Sequence, residues 1–222
     1  MKIKNFAFFI TVCAAVICAL VCIFAYSCRK SSLEISFEYY FVVYRTADNS
    51  ISASSLSGTA SSYGGAGYVF RYDGNYYITL SCYYKESDAK KVCESLKKRD
   101  LDCEILKVKK NKFELTNHTA RKNSELYKGN LNTLNSLSAL AYECANGLDS
   151  GEYNQSKAKN LTADILRELN TLLNANQYNC FAESLDFLVS ECENRRAGYI
   201  YSKDMRYLQI AILDVIIQAE LA

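Results

Sequence analysis

Hydrophobic positions along the 222-residue chain follow three regimes. Residues 6–27 are an apolar run without a charged side chain, and residues 31–37 are a short polar connection. From 37 to about 110, period-2 stretches surround a 3.6-period segment. Residues 37–45 (FEYYFVVYR), 68–72, 75–84 and 101–109 are aromatic and β-branched, so they predict strands. Asp73-Gly74 predicts a hairpin turn between the second and third. In residues 85–100, Ala89, Val92, Cys93 and Leu96 fall at i, i+3, i+4 and i+7, which predicts an amphipathic helix that Ser87 can cap. Residues 48–62 are small and polar and fit a short helix capped by Asp48 or Ser50, followed by the glycine-rich breaker 64–67. The expected order is βαββαβ, the ferredoxin-like arrangement, with two helices on one sheet face and the other face free.

Beyond residue 111 the helical period takes over. Candidate helices are 119–148, 155–174, 178–195 and 202–220. Leu131, Leu134, Leu137, Leu140 and Ala141 form one apolar stripe, and Leu161, Ile165, Leu166, Leu169 and Leu172 another. The last helix is apolar on most sides, which suits the centre of a bundle. The fold class expected is therefore α+β: residues 1–30 a cytoplasmic start and transmembrane signal-anchor, 31–110 an α/β domain, and 111–222 an all-α bundle.

The apolar run is long enough to cross a bilayer of roughly 30 Å as a helix. Lys2 and Lys4 precede it, and Arg29 and Lys30 follow. The large domain downstream favours a single-pass anchor with the bulk of the chain extracytoplasmic. The alternative is a lipoprotein signal ending at Cys28, although Tyr26 is bulky for one. Net charge is +2, with no basic excess to suggest nucleic acid. Four of the ten cysteines lie in or beside the apolar run. The other six are Cys82, Cys93, Cys103, Cys144, Cys180 and Cys192; they permit three bridges or serve as small buried residues. No C-x-x-C pair is present, so zinc and thioredoxin-type chemistry lack support.

The stretches YYFVVY, GGAGYVF and NYYITLSCYYKESDAKKVCESLKKRDLDCEILKV together resemble the SPOR (sporulation-related repeat) family of bacterial envelope proteins. The resemblance covers about 75 residues. The chain departs from the family pattern where Tyr44 or Arg45, and Asp100 or Leu101, replace usual glycines. The resemblance implies non-catalytic binding of peptidoglycan glycan strands on the exposed sheet face, a single N-terminal transmembrane helix, and a role in division or sporulation. Strand alternation then points Tyr40, Val42 and Tyr44, and Tyr77, Thr79, Ser81 and Tyr83, to that face, with Arg71 as a further donor. Tyrosine suits a sugar because it joins an apolar ring to a hydrogen-bonding hydroxyl. The competing reading makes these tyrosines ordinary sheet residues.

No catalytic, metal or cofactor motif appears in the chain. The single histidine, His118, lies in a polar junction, and the third strand lacks the basic, glycine-containing RNA-binding pattern. A second class of function is an envelope interaction scaffold in which the helical half binds a protein partner. The two classes differ in whether the bundle leaves the second sheet face open.

Overall fold

The computed structural model describes residues 31–116, 118–177 and 179–221. The expected membrane segment, residues 6–27, and Cys28 lie outside them. No helix among the described residues is long and apolar enough to cross a membrane.

The α/β half runs β1 (Ser31–Ala47), α1 (Ser50–Ser62), β2 (Tyr68–Tyr72), β3 (Asn75–Tyr83), α2 (Glu86–Lys97) and β4 (Glu104–Leu115). The four strands form one sheet in the order β2-β3-β1-β4, antiparallel at each pairing. Asp73 and Gly74 turn the β2–β3 hairpin with φ of 48° and 80°. Two positive φ values match the right-handed strand twist of a type I′ turn. Asn49 caps α1 by accepting from Ser52 N at 2.9 Å, in place of Asp48 or Ser50. Lys85 is the N-cap of α2, which has no side-chain cap from Ser87.

The first and last strands, β1 and β4, are longer than expected. Residues 31–37 are not a connection but the first part of β1, paired with the end of β4 from Ser31–Leu115 to Phe37–Lys110. Burial explains the extension: Leu33 and Phe37 on β1 and Phe113 and Leu115 on β4 enter one core with the helices. Strand character thus continues past residue 110, and the boundary with the helical half falls near Thr116. Thr116 N donates to Leu221 O at 2.9 Å, tying the end of the chain to the end of the sheet.

The helical half comprises α3 (His118–Lys122), α4 (Ser124–Ser150), α5 (Gln155–Asn176), α6 (Ala182–Arg196) and α7 (Ser202–Gln218). The expected first helix is broken at Asn123. The last helix is central: Met205, every residue from Leu208 to Leu213, Ile216 and Ile217 are buried.

Each sheet face is covered. On one face, Val42, Ile78 and Leu80 meet Ala53 and Ala60 of α1 and Ala89 and Cys93 of α2. On the other, Phe41, Val43, Phe70 and Val108 share a core with α4, α5, α6 and α7. The expected free face is therefore occupied by the bundle. Continuous apolar runs are what strands buried on both sides require, and YYFVVY is one.

Candidate functional site

The eight expected glycan contacts do not share a face. Simple alternation fails at two bulges in the central pair. Leu80 has no partner on β1 between Thr79 and Ser81, and Tyr44 has none on β3 between Val43 and Arg45. Each extra residue shifts the register of the faces. Tyr77 consequently packs against the bundle-side core. Tyr40, Val42 and Tyr83 belong to the core under α1 and α2, and Tyr44 packs against its edge. Tyr40, Val42, Thr79, Ser81 and Tyr83 are all buried, so they cannot form a groove on an open sheet. Thr79 donates to Tyr68 O at 2.9 Å within the hairpin. Arg71 is exposed on the edge strand, with its guanidinium 5.8 Å from the Tyr76 ring centre.

The tyrosines of the sheet instead fasten it to the bundle. Tyr39 Oη donates to Asn135 Oδ1 of α4 at 2.8 Å, and Tyr84 Oη lies 2.8 Å from Ser138 Oγ of the same helix. Tyr68 Oη donates to Asp214 of α7 at 2.7 Å. Gln209 of α7 donates to the Cys82 carbonyl at 3.1 Å. Rings add edge contacts, Tyr83 and Tyr84 to Tyr142 and Tyr68 to Tyr207.

Two of the expected residues do meet, at a different place. Ser81 and Tyr83 line a cleft of about 310 Å³ at the seam between α1, α2 and the start of α7. Leu80, Val92 and Leu96 give it apolar wall, and Tyr63, 57% exposed, stands at its side. Tyr44 supports Tyr63 with ring centres 5.9 Å apart. The bulge at Leu80 places Ser81 here. Gly64 and Gly65 also line the cleft, and Gly65 has a geometric reason: a Cβ there would lie 2.4 Å from Leu80 Cδ2 and 2.9 Å from Leu80 Cα.

Charge enters the cleft from the helical half. Arg206 ion-pairs with Asp149, and its Nη1 donates to Ser202 Oγ at 3.3 Å. The Arg206 side chain is only 16% exposed, which holds its fork in place. Arg99 adds a second cation to the lining. Ser81 Oγ is buried without a partner in hydrogen-bond geometry, so it is an unsatisfied polar group at the cleft wall. Burial raises the Tyr83 phenol pKa, and the Arg206 charge acts against the rise.

Aromatic rings, hydroxyls and an oriented Arg–Asp pair can recognise a small polyhydroxylated ligand. Among the described residues, Asp149 is the only carboxylate in the lining, so they do not assemble there the two-carboxylate arrangement of glycoside hydrolysis. No cluster of three or more metal-ligating side chains occurs among the described residues. Comparison with known proteins found no matching family model, no matching curated protein and no matching solved structure.

Tyr63, Arg99, Asp149, Ser202 and Arg206 carried no local signal in the sequence. The glycine break beside Tyr63 was visible, but Asp149 and Arg206 stand 57 positions apart and meet only through the packing of α4 on α7.

Proposed function

We propose that the protein is a membrane-tethered, non-catalytic binding protein of a bacterial cell envelope, held by residues 6–27, with the bulk of the chain outside the membrane. Its α/β half is read as a ferredoxin-like SPOR module. Its ligand is a sugar unit of peptidoglycan glycan, taken in the seam cleft rather than on the sheet. The observation that carries this reading is the cleft itself, where Tyr63 and Tyr83 stand beside an oriented Arg206–Asp149 pair and the unsatisfied Ser81 hydroxyl. A role in division or sporulation follows from the family resemblance alone.

The test is co-sedimentation of the full-length protein, in detergent, with purified sacculi. Tyr63→Ala and Arg99→Ala alter exposed side chains, so folding should survive. Each should weaken pelleting by about tenfold if the side chain is a binding hot spot. Absence of wild-type pelleting would reject the glycan reading. Pelleting insensitive to both variants would move the site elsewhere.

The scaffold reading also has its own observation. The bundle occupies the sheet face that glycan binding in this family would use. A groove of about 320 Å³ between α6 and α7 carries the half-exposed Phe187. On this reading the helical half takes a protein partner, and Phe187→Asp would abolish capture of that partner while leaving sacculus pelleting unchanged.

A further inference from the structure

Among the described residues, one pair of sulfurs is brought together. Cys93 Sγ on α2 lies 2.7 Å from Cys103 Sγ, just before β4. Both residues are buried, and each thiol also approaches the other residue's carbonyl, Cys93 Sγ to Cys103 O at 3.2 Å and Cys103 Sγ to Cys93 O at 3.5 Å. Two sulfurs at 2.7 Å are closer than unbonded sulfurs pack, yet longer than a disulfide of about 2.05 Å. A small rotation about the Cα–Cβ bonds closes the gap. The other cysteines behave differently. Cys82 and Cys192 turn their thiols towards backbone carbonyls, Cys144 is buried, and Cys180 is exposed.

We propose that Cys93 and Cys103 form a disulfide that staples the second helix to the last strand, leaving the other described thiols reduced. The oxidant is an external disulfide, of a small thiol or a dithiol oxidoreductase. One cysteine thiolate attacks it and releases one reduced thiol. The second cysteine thiolate then attacks the mixed disulfide and releases the other. The two cysteines lose two protons and two electrons, and the external disulfide becomes two thiols.

Burial, and then the Cys93 thiol beside it, push the Cys103 pKa up to about 12. The folded, reduced Cys103 therefore holds little thiolate, and the bond forms while the chain folds. An extracytoplasmic position, as proposed above, supplies oxidising conditions. The bond would also fix a wall of the cleft, because Val92 and Leu96 flank Cys93 on α2 and Arg99 follows the helix.

The experiment uses the full chain in detergent, refolded with oxidised glutathione, blocked with iodoacetamide and digested with trypsin without reductant. Residues 92–97 (VCESLK) and 100–107 (DLDCEILK) should appear as one linked species that dithiothreitol separates. Reduction should lower the Tm by about 5–10 °C, as expected for a short closed loop in a chain of this size. Cys103→Ser should lose both the linked species and the sensitivity to reductant. Recovery of both peptides singly alkylated, or of either joined to another cysteine, would overturn the proposal.

Discussion

The two faces of the sheet are buried by opposite means. Under α1 and α2 the helices contribute small residues, Ala53, Ala60 and Ala89, so their backbones come close to Val42, Ile78 and Leu80. Against the bundle the sheet contributes large rings, with Phe41 stacked on Phe70 at 4.8 Å between centres and Phe70 on Tyr72 at 5.8 Å. That face is also stitched by hydroxyls, from Tyr39, Tyr68 and Tyr84. The first face gains stability from close approach, while the second gains it from ring area and from tyrosine oxygens that reach across the interface. A sheet built this way has no vacant side, and the cleft proposed above for the ligand lies at the seam where the two kinds of packing meet.

The contrast predicts that the bundle face suffers most from loss of volume. Phe70 is fully buried and its ring is held by two neighbours. Phe70→Ala should cost about 3–5 kcal/mol in urea unfolding, through lost transfer energy plus the cavity left behind. A cost below about 1 kcal/mol would mean that the bundle packs only loosely on the sheet.

The helix face should suffer instead from added volume. Ala60→Leu places an isobutyl group where α1 approaches the sheet, at a residue with no exposed surface. Overpacking of this kind typically costs about 1–3 kcal/mol. A silent Ala60→Leu would show that α1 can lift off the sheet, and would remove the distinction drawn between the faces.

What could be read from the sequence follows the same division. Element order was legible because it depends on local period and on punctuation such as Asp73-Gly74. The doubly buried state of β1 was written in the unbroken YYFVVY, although a tyrosine-rich strand reads equally well as a binding surface. The facing of Ser81 and Tyr83 was not legible, because the bulges at Leu80 and Tyr44 follow from how two strands fit together and not from either strand alone. The first part of β1 was hidden for a similar reason: Leu33 is a strand residue only in the company of Phe113 and Leu115. The cleft's Arg206–Asp149 pair is a product of helix packing and has no sequence signature at all.

The hydroxyl stitches rank next in size. Tyr39→Phe and Tyr84→Phe each keep the ring and delete one hydrogen bond to α4. Each should cost about 0.5–1.5 kcal/mol. The two rings lie edge to face at 6.0 Å, so the double variant should depart from additivity. If neither variant changes the urea midpoint, the tyrosine oxygens are incidental, and area alone joins the sheet to the bundle.

The smallest expected effect is one of pH, and it has opposite signs on the two faces. On the bundle face, burial raises the Asp214 pKa above its ordinary value, and the Tyr68 and Gln218 hydrogen bonds only partly oppose it. The folded chain then holds this proton more tightly than the unfolded one, so Asp214 makes stability fall as pH rises from the ordinary carboxylate range through its raised pKa. On the opposite face, beside Tyr40, the Tyr40 hydroxyl and then Lys107 lower the pKa of Glu38, so its contribution is present above the ordinary range and is lost as pH falls. Asp214→Asn keeps an acceptor for Tyr68 and removes the buried charge. Its Tm relative to wild type should therefore rise between pH 3.5 and pH 7.5, while that of Glu38→Gln should fall over the same interval. Parallel shifts in the two variants would show that Asp214 is solvated in the folded chain, and would deprive the bundle face of the buried polar anchor that separates it from its opposite.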